Sequence, residues 1–235
     1  MTFVIVHFNT PELTTCLCSS IRKYHPLDKI IIFDNSNKKP FKNSALFNAE
    51  YIDNTKEQII DFNNEFKKTK LKIDDLIVRI NNLGSAKHCF TIDYLIKNLK
   101  CDEFCLLDSD ILLKKKIDFC NNKYITVGEL NKKERNEKNV RKYRILPFIQ
   151  YFNLKEIKKQ NINYFDFSRI LGFDAEYTRG YDTGASFYED VKQKKLKIKS
   201  NINLDKYMIH FKGGSWNKQK ISFQEWLLNN KSLWK

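Results

Sequence analysis

EFCLLDSD, residues Glu103 to Asp110, is an apolar run that stops at an acidic pair. On extended backbone two carboxylates at i and i+2 point to one side, so the spacing predicts Asp108 and Asp110 side by side with Ser109 turned away. Such a pair at the mouth of a buried strand is costly unless a positive charge occupies the site. A hard divalent cation bridged to a diphosphate matches both the charge and the geometry. The plainer alternative is a solvated loop start.

Upstream, strand and helix signals alternate, which is the pattern of an α/β fold with a mostly parallel central sheet flanked by helices. Phe3 to Phe8 (FVIVHF) is a β-branched apolar run. Thr10-Pro11-Glu12 then supplies a helix cap, a proline at the first helical position and an acid in the first turn. Leu13, Leu17 and Ile21 recur every four residues and predict an amphipathic helix to about Tyr24, ended by His25-Pro26. Lys29 to Phe33 (KIIIF) is the second strand, followed by the turn Asp34-Asn35-Ser36-Asn37. A polar, helix-prone insertion fills Thr55 to Lys72. Leu76 to Ile80 reads as the third strand, Asn82 to Ser85 as a turn, and Ala86 to Leu99 as a helix leading to EFCLL.

Right-handed crossovers bring the carboxyl ends of parallel strands to one edge. Asn9, Thr10, Asp34, Asn82, Asp108 and Asp110 are therefore expected on a single rim. Each has a dull role available, as helix cap, turn former or strand terminator; their joint placement is the stronger signal.

The second half is less regular. Arg144 to Phe152 predicts a strand, Leu154 to Gln160 a short helix, and Gly180 to Gly184 a turn before a helix to about Lys194. Leu196 to Ile202 and Met208 to Phe211 predict two more strands. Ile221 to Trp234 predicts an aromatic, basic helix that either docks on the core or lies on a membrane surface, with docking favoured.

The chain has 235 residues, 42% hydrophobic and 14% aromatic, enough for a folded globule, and its 4 prolines and 7 glycines form no linker. A single domain is expected, with residues 1–112 as one functional half and 113–235 as the other. The start MTFVIVHFNT has no signal-peptide pattern, and no run approaches a spanning helix. A cytoplasmic location is expected, with peripheral attachment to the inner face of the cell membrane left open. Six cysteines without metal-ligand or paired spacing predict reduced thiols. The formal net charge is +14. It suits an acidic membrane surface or a phosphorylated substrate, whereas no nucleic-acid-binding motif accompanies it, so no nucleic-acid partner is expected.

With these pieces placed, VIVHFNTPELTTCLCSSI, IIIFDNSN, NLGSAKH and EFCLLDSDILL resemble, in order and spacing, the bacterial inverting family-2 glycosyltransferases of the GT-A fold. The resemblance covers nearly half the chain. One departure is plain: the family often carries Arg-Asn-x-Gly after its Asn-x-Gly turn, where this chain has Lys87-His88-Cys89-Phe90.

The resemblance implies a nucleotide-sugar donor, a UDP-sugar, and Mn²⁺ or Mg²⁺ held by the D-x-D element. It implies that Asp34, Asn9, Thr10, Asn82, Asp108 and Ser109 line the donor pocket, with Asp34 accepting hydrogen bonds from the base or ribose. Asp110 is the first metal ligand, Asp108 the second or a ribose contact, and His210, ahead of Gly213-Gly214, completes the shell. Lys114 to Lys116 either supports the diphosphate or is a solvated run. An inverting transfer also needs a base on the acceptor hydroxyl. Asp182, placed ahead of a helix, stands first; Glu189 and Asp190 are the alternatives. The acceptor implied is a surface glycan or a lipid-linked sugar. His7 and His25 read as structural. The rival readings are a nucleotidyltransferase on a similar sheet, which would want a glycine-rich phosphate loop near the first strand, and a basic nucleic-acid-binding or scaffold protein.

Overall fold

The computed structural model describes residues 1–68, 83–131, 143–166, 183–211 and 222–235, with backbone alone for 83–85. In chain order its elements begin with β1 (Thr2–His7), α1 (Pro11–Tyr24), β2 (Lys29–Asp34), β3 (Ala49–Asp53), α2 (Phe62–Lys68) and α3 (Leu83–Asn98). Strands β4 (Glu103–Asp108), β5 (Ile111–Leu113), β6 (Thr126–Val127), β7 (Leu130–Asn131), β8 (Arg144–Ile145) and β9 (Ile149–Asn153) follow. The chain continues through α4 (Leu154–Lys159), α5 (Ala185–Gln193), β10 (Ile198–Lys199), β11 (Met208–His210) and α6 (Phe223–Asn229). The residues form two compact units, Met1–Lys56 with Phe104–Cys120 and Asn203–Lys235, and Glu57–Glu103 with Asn121–Ile202. Each unit draws on both sides of residue 112.

The first unit is α/β. Its strands lie in the order β4-β1-β2-β3, all parallel. Phe3, Val4, Ile5, Ile30, Ile32, Phe33 and Leu106 are fully buried, as expected for strands covered on both faces. Helix α1 starts at Pro11 and ends at His25, where the sequence signals put it. Its buried stripe includes Leu13, Leu17 and Ile21. The Ser20 hydroxyl accepts the Leu113 N–H at 3.2 Å and so fastens the helix to β5. Strand β5 pairs antiparallel with β11 as a separate two-stranded ribbon. The C-terminal helix α6 docks: Leu227 joins Leu13, Cys16, Leu112 and Phe211 in one apolar cluster, with Trp226 and Trp234 packed against it.

Strand β3 is a correction. The sequence reading passed over AEYID, and its expected third strand, Leu76 to Ile80, lies outside the described residues. β3 pairs with β2 from Ala49 to Asp53, but it is the end strand in its unit's order and none of its residues is fully buried. An edge strand of this kind carries little apolar signal.

The second unit holds β6 between a parallel β10 and an antiparallel β9, and the ribbon β7-β8. The single strand expected over Arg144 to Phe152 is two, β8 and β9, split at Leu146-Pro147-Phe148. An aromatic core of Phe152, Tyr164 and Phe187 has ring centroids 5.5–5.8 Å apart. The Tyr151 hydroxyl donates to Glu103 at 2.5 Å.

Candidate active site

The strand ends of the first unit share one rim. Asp108 closes β4 beside Val6, and His7 of β1 stands in register with Asp34, which stands in register with Asp53. Beyond Asp108 the chain turns at Ser109-Asp110 before entering β5. The acidic pair is thus not carried on one continuous extended segment, and the expectation drawn from a spacing of two on a strand is corrected. What replaces it comes from far along the chain. β11 runs back along β5 with His210 opposite Ile111, and the Phe211 N–H donates to the Asp110 carbonyl at 2.9 Å. This register sets His210 Nε2 3.2 Å from Asp110 Oδ1, with the side chains 10% and 17% exposed.

Thr10 and Ser109 join the same corner. Thr10 is the N-cap residue of α1 by position, yet its side chain caps nothing. Its hydroxyl lies instead 3.2 Å from the Ser109 hydroxyl. The helix start is therefore tied to the turn that carries Asp110.

Asn9 follows β1 with φ of 56°, a left-handed conformation that asparagine tolerates better than most residues. Its backbone N–H donates to the Ser36 hydroxyl at 2.8 Å. Its side-chain oxygen accepts the N–H groups of Lys38 and Lys39, at 3.0 and 2.9 Å, and its amide nitrogen donates to Asn37. Asn9 clasps the loop that follows β2.

Asp34 holds that loop from below. It is fully buried. Its Oδ1 accepts the Ser36 N–H at 2.8 Å, and its Oδ2 accepts the Phe41 N–H at 2.7 Å and the Tyr51 hydroxyl at 2.8 Å. Its carboxylate offers no exposed surface to a base or ribose, so the expected direct nucleotide contact is corrected: Asp34 shapes the wall of the rim. The Asp34–Ser36 bond is an Asx turn, legible in Asp34-Asn35-Ser36. Tyr51 was missed, because nothing in sequence signals a hydroxyl arriving from an edge strand. Burial first, and then the Asp34 carboxylate, push the Tyr51 phenol well above its ordinary value.

Histidine 7, also buried, bridges Thr14 Oγ1 at 2.7 Å and the Lys39 carbonyl at 3.2 Å. A carbonyl only accepts, so Nε2 carries the proton and Nδ1 accepts from the Thr14 hydroxyl. This neutral tautomer agrees with the burial that lowers its pKa.

Lys114 to Lys116 do not reach the rim. Lys114 Nζ donates to the Asp205 carbonyl at 2.7 Å, and Lys115 covers the Tyr207 ring at 4.4 Å. The next residue, Ile117, donates its N–H to His25 Nε2 at 2.9 Å, at the far end of α1 from Thr10. Asn82, Asp182, Gly213 and Gly214 lie outside the described residues. Glu189 and Asp190 lie in the middle of α5, half-buried, in the second unit; the N-cap of that helix is Gly184.

Among the described residues no group of three or more His, Cys, Asp or Glu side chains is gathered as a metal cage. Asp110 and His210 form a two-donor set of carboxylate oxygen and imidazole nitrogen, which suits Mn²⁺. Two protein donors completed by substrate phosphates are a usual arrangement for the hard divalent ions. The residues present fit such an ion.

Against solved structures, the chain aligns over its whole length with apo GlyE of Streptococcus pneumoniae TIGR4, a glycosyltransferase, at TM-score 0.54 and 10% identity, covering 60% of that chain. It aligns over 99% of its length with apo mouse xyloside xylosyltransferase 1, at TM-score 0.50 and 10% identity, covering 92% of that chain. The fold is the GT-A glycosyltransferase fold. The galactosyltransferase LgtC, solved with donor and acceptor sugar analogues, is a more distant likeness, at TM-score 0.47 and 15% identity over 85% of this chain and 73% of LgtC. The chain spans less than two thirds of GlyE. No protein-family model matches it, and no curated protein does. Among the described residues no helix is long and apolar enough to cross a membrane.

Proposed function

We propose that the 235-residue chain acts as a metal-dependent, inverting glycosyltransferase. It moves a hexose from a nucleotide-sugar donor, a UDP-sugar, to the hydroxyl of a glycan or lipid-linked acceptor. The observation that carries this reading is the 3.2 Å approach of Asp110 and His210 at the carboxyl ends of parallel strands. In an α/β sheet that edge is where phosphorylated ligands bind.

In this reading Asp110 and His210 hold Mn²⁺ or Mg²⁺, with Asp108 beside them. When bound, the ion supplies positive charge against the diphosphate that leaves. Asn9 and Asp34 shape the loop wall against which the nucleoside sits, and Thr10 and Ser109 fix the turn below the phosphates. Asn82 is a further polar contact to the donor. Asp182 takes the proton from the acceptor hydroxyl, with Glu189 and Asp190 as the alternatives. Inversion follows from direct attack of that hydroxyl on the anomeric carbon. A nucleotidyltransferase is disfavoured because VHFNTPEL, from the end of β1 into the first turn of α1, has no glycine to cradle a triphosphate.

The test is a thermal-shift series of nucleoside diphosphates with and without Mn²⁺. UDP with Mn²⁺ is expected to raise the melting temperature more than either alone. Equal shifts with and without the ion would remove the metal from the reading, and no shift with any nucleotide would remove the donor.

A further inference from the structure

The edge of the first unit opposite the rim carries its two most exposed leucines. Leu27 is 97% exposed and Leu46 is 77% exposed. Leu27 sits in the turn ahead of β2 and Leu46 in a short 3-10 helix, Ser44–Phe47, ahead of β3, yet one side chain ties both segments together. Arg22, in the last turn of α1, donates from Nη1 to the Asp28 carbonyl at 2.6 Å and from Nη2 to the Phe47 carbonyl at 2.6 Å. A third segment is fixed to the same end of α1 by the bond from Ile117 to His25. That segment brings the exposed Lys115 and Lys116, and Lys23, whose Nζ donates to the Ser232 carbonyl at 2.6 Å, adds a third exposed cation at the end of α1. The acids there have partners: Asp28 pairs with the N-terminal ammonium of Met1 at 2.6 Å, Glu50 pairs with Lys29 at 2.6 Å, and Asp118 accepts the Tyr207 hydroxyl at 2.7 Å.

We infer that this edge is a docking surface for an anionic lipid bilayer, with Leu27 and Leu46 entering the interface and the lysines meeting headgroup phosphates. The charge is complementary to that surface. The shape also selects it. A folded protein partner would need a contiguous apolar face, whereas here two apolar tips stand on separate segments. A fluid interface accommodates separate tips. Arg22 spends its guanidinium on carbonyls, so its task is to hold the tips at a fixed spacing.

Orientation follows from α1, which runs from Thr10 at the rim to His25 at this edge. Its fourteen residues span about 20 Å at ~1.5 Å per residue. A docked chain holds Asp110 and His210 roughly that far above the headgroups. On the transferase reading, and only on it, the acceptor hydroxyl is then carried on a glycan extended from the surface rather than at the headgroup itself.

The experiment is co-sedimentation of the full chain with phosphatidylcholine vesicles, with and without about one-third phosphatidylglycerol. No nucleotide is present, so the result is independent of the transferase reading. Binding is expected only to the anionic vesicles and is lost in about 0.5 M salt. Leu27→Asp with Leu46→Asp is expected to weaken it at least about tenfold. Leu228→Asp, a 67% exposed position on α6, is expected to leave it within about twofold. Both variants replace exposed side chains, and unchanged thermal melts establish that they fold. No binding by the wild type, equal binding by the double variant, or loss through Leu228→Asp would each overturn the proposal.

Discussion

Thr10 and Ser109 are 99 positions apart in sequence and 3.2 Å apart through their hydroxyls. The contact ties the start of α1 to the turn that presents Asp110, and it explains why Thr10 leaves its cap unmade. The rim is built in this way throughout, with strand ends supplying position and polar side chains fixing the turns between them.

The Asp34 cluster is a stability element with a predictable cost. Asp34→Ala removes the acceptor for two backbone N–H groups and the Tyr51 hydroxyl. A loss of about 3 kcal/mol in urea denaturation is expected, since buried donors are left unsatisfied. Tyr51→Phe removes one bond and is expected to cost about 1 kcal/mol. A loss below about 0.5 kcal/mol for Asp34→Ala would contradict its role in shaping the loop.

Acidification is expected to weaken the fold. Burial holds His7 and His25 below the ordinary histidine value near 6.5, and each is neutral in the fold. Below that value the unfolded chain binds protons that the folded chain refuses, so stability falls as pH drops. Asp93 in the second unit acts in the opposite sense: burial pushes its carboxyl up to about 6. Its penalty is full above about pH 6 and is relieved toward about pH 4. Denaturation midpoints from about pH 7.5 to about pH 5.5 should fall for the wild type, less for His25→Gln and more steeply for Asp93→Asn. A rise on acidification in the wild type would contradict the two neutral histidines.

Removal of the base should separate binding from turnover. Asp182→Asn is expected to cut kcat by at least about a hundredfold while the donor affinity stays near normal. If Glu189→Gln or Asp190→Asn has that effect and Asp182→Asn does not, the proton passes to the helix α5 residue instead.

Much of the first unit was legible because its signals are local. β-Branched runs predicted β1 and β2, and Thr10-Pro11-Glu12 with a four-residue apolar repeat predicted α1 to within a residue. The shared rim followed from topology alone. Three things were not legible. β3 is half-exposed and weakly patterned. The turn at Ser109-Asp110 breaks the extended geometry on which the acidic pair was first read. The fate of Asp34 depends on Tyr51, 17 positions away. Lys114 to Lys116 illustrate the same limit: they follow the acidic pair closely in sequence, but β5 carries them to the other end of α1. The nearness of His210 to Asp110 was expected from resemblance, and it arises physically from the β5-β11 register.

The account turns on Asp110 and His210 acting together on a phosphorylated donor. Isothermal titration of UDP, with and without Mn²⁺, into the wild type, Asp110→Ala and His210→Ala tests that directly. The wild type is expected to bind UDP at least about tenfold more tightly with the ion, a difference of about 1.4 kcal/mol, and both variants to lose that gain while melting like the wild type. Retention of the full manganese effect in either folded variant would contradict the assignment.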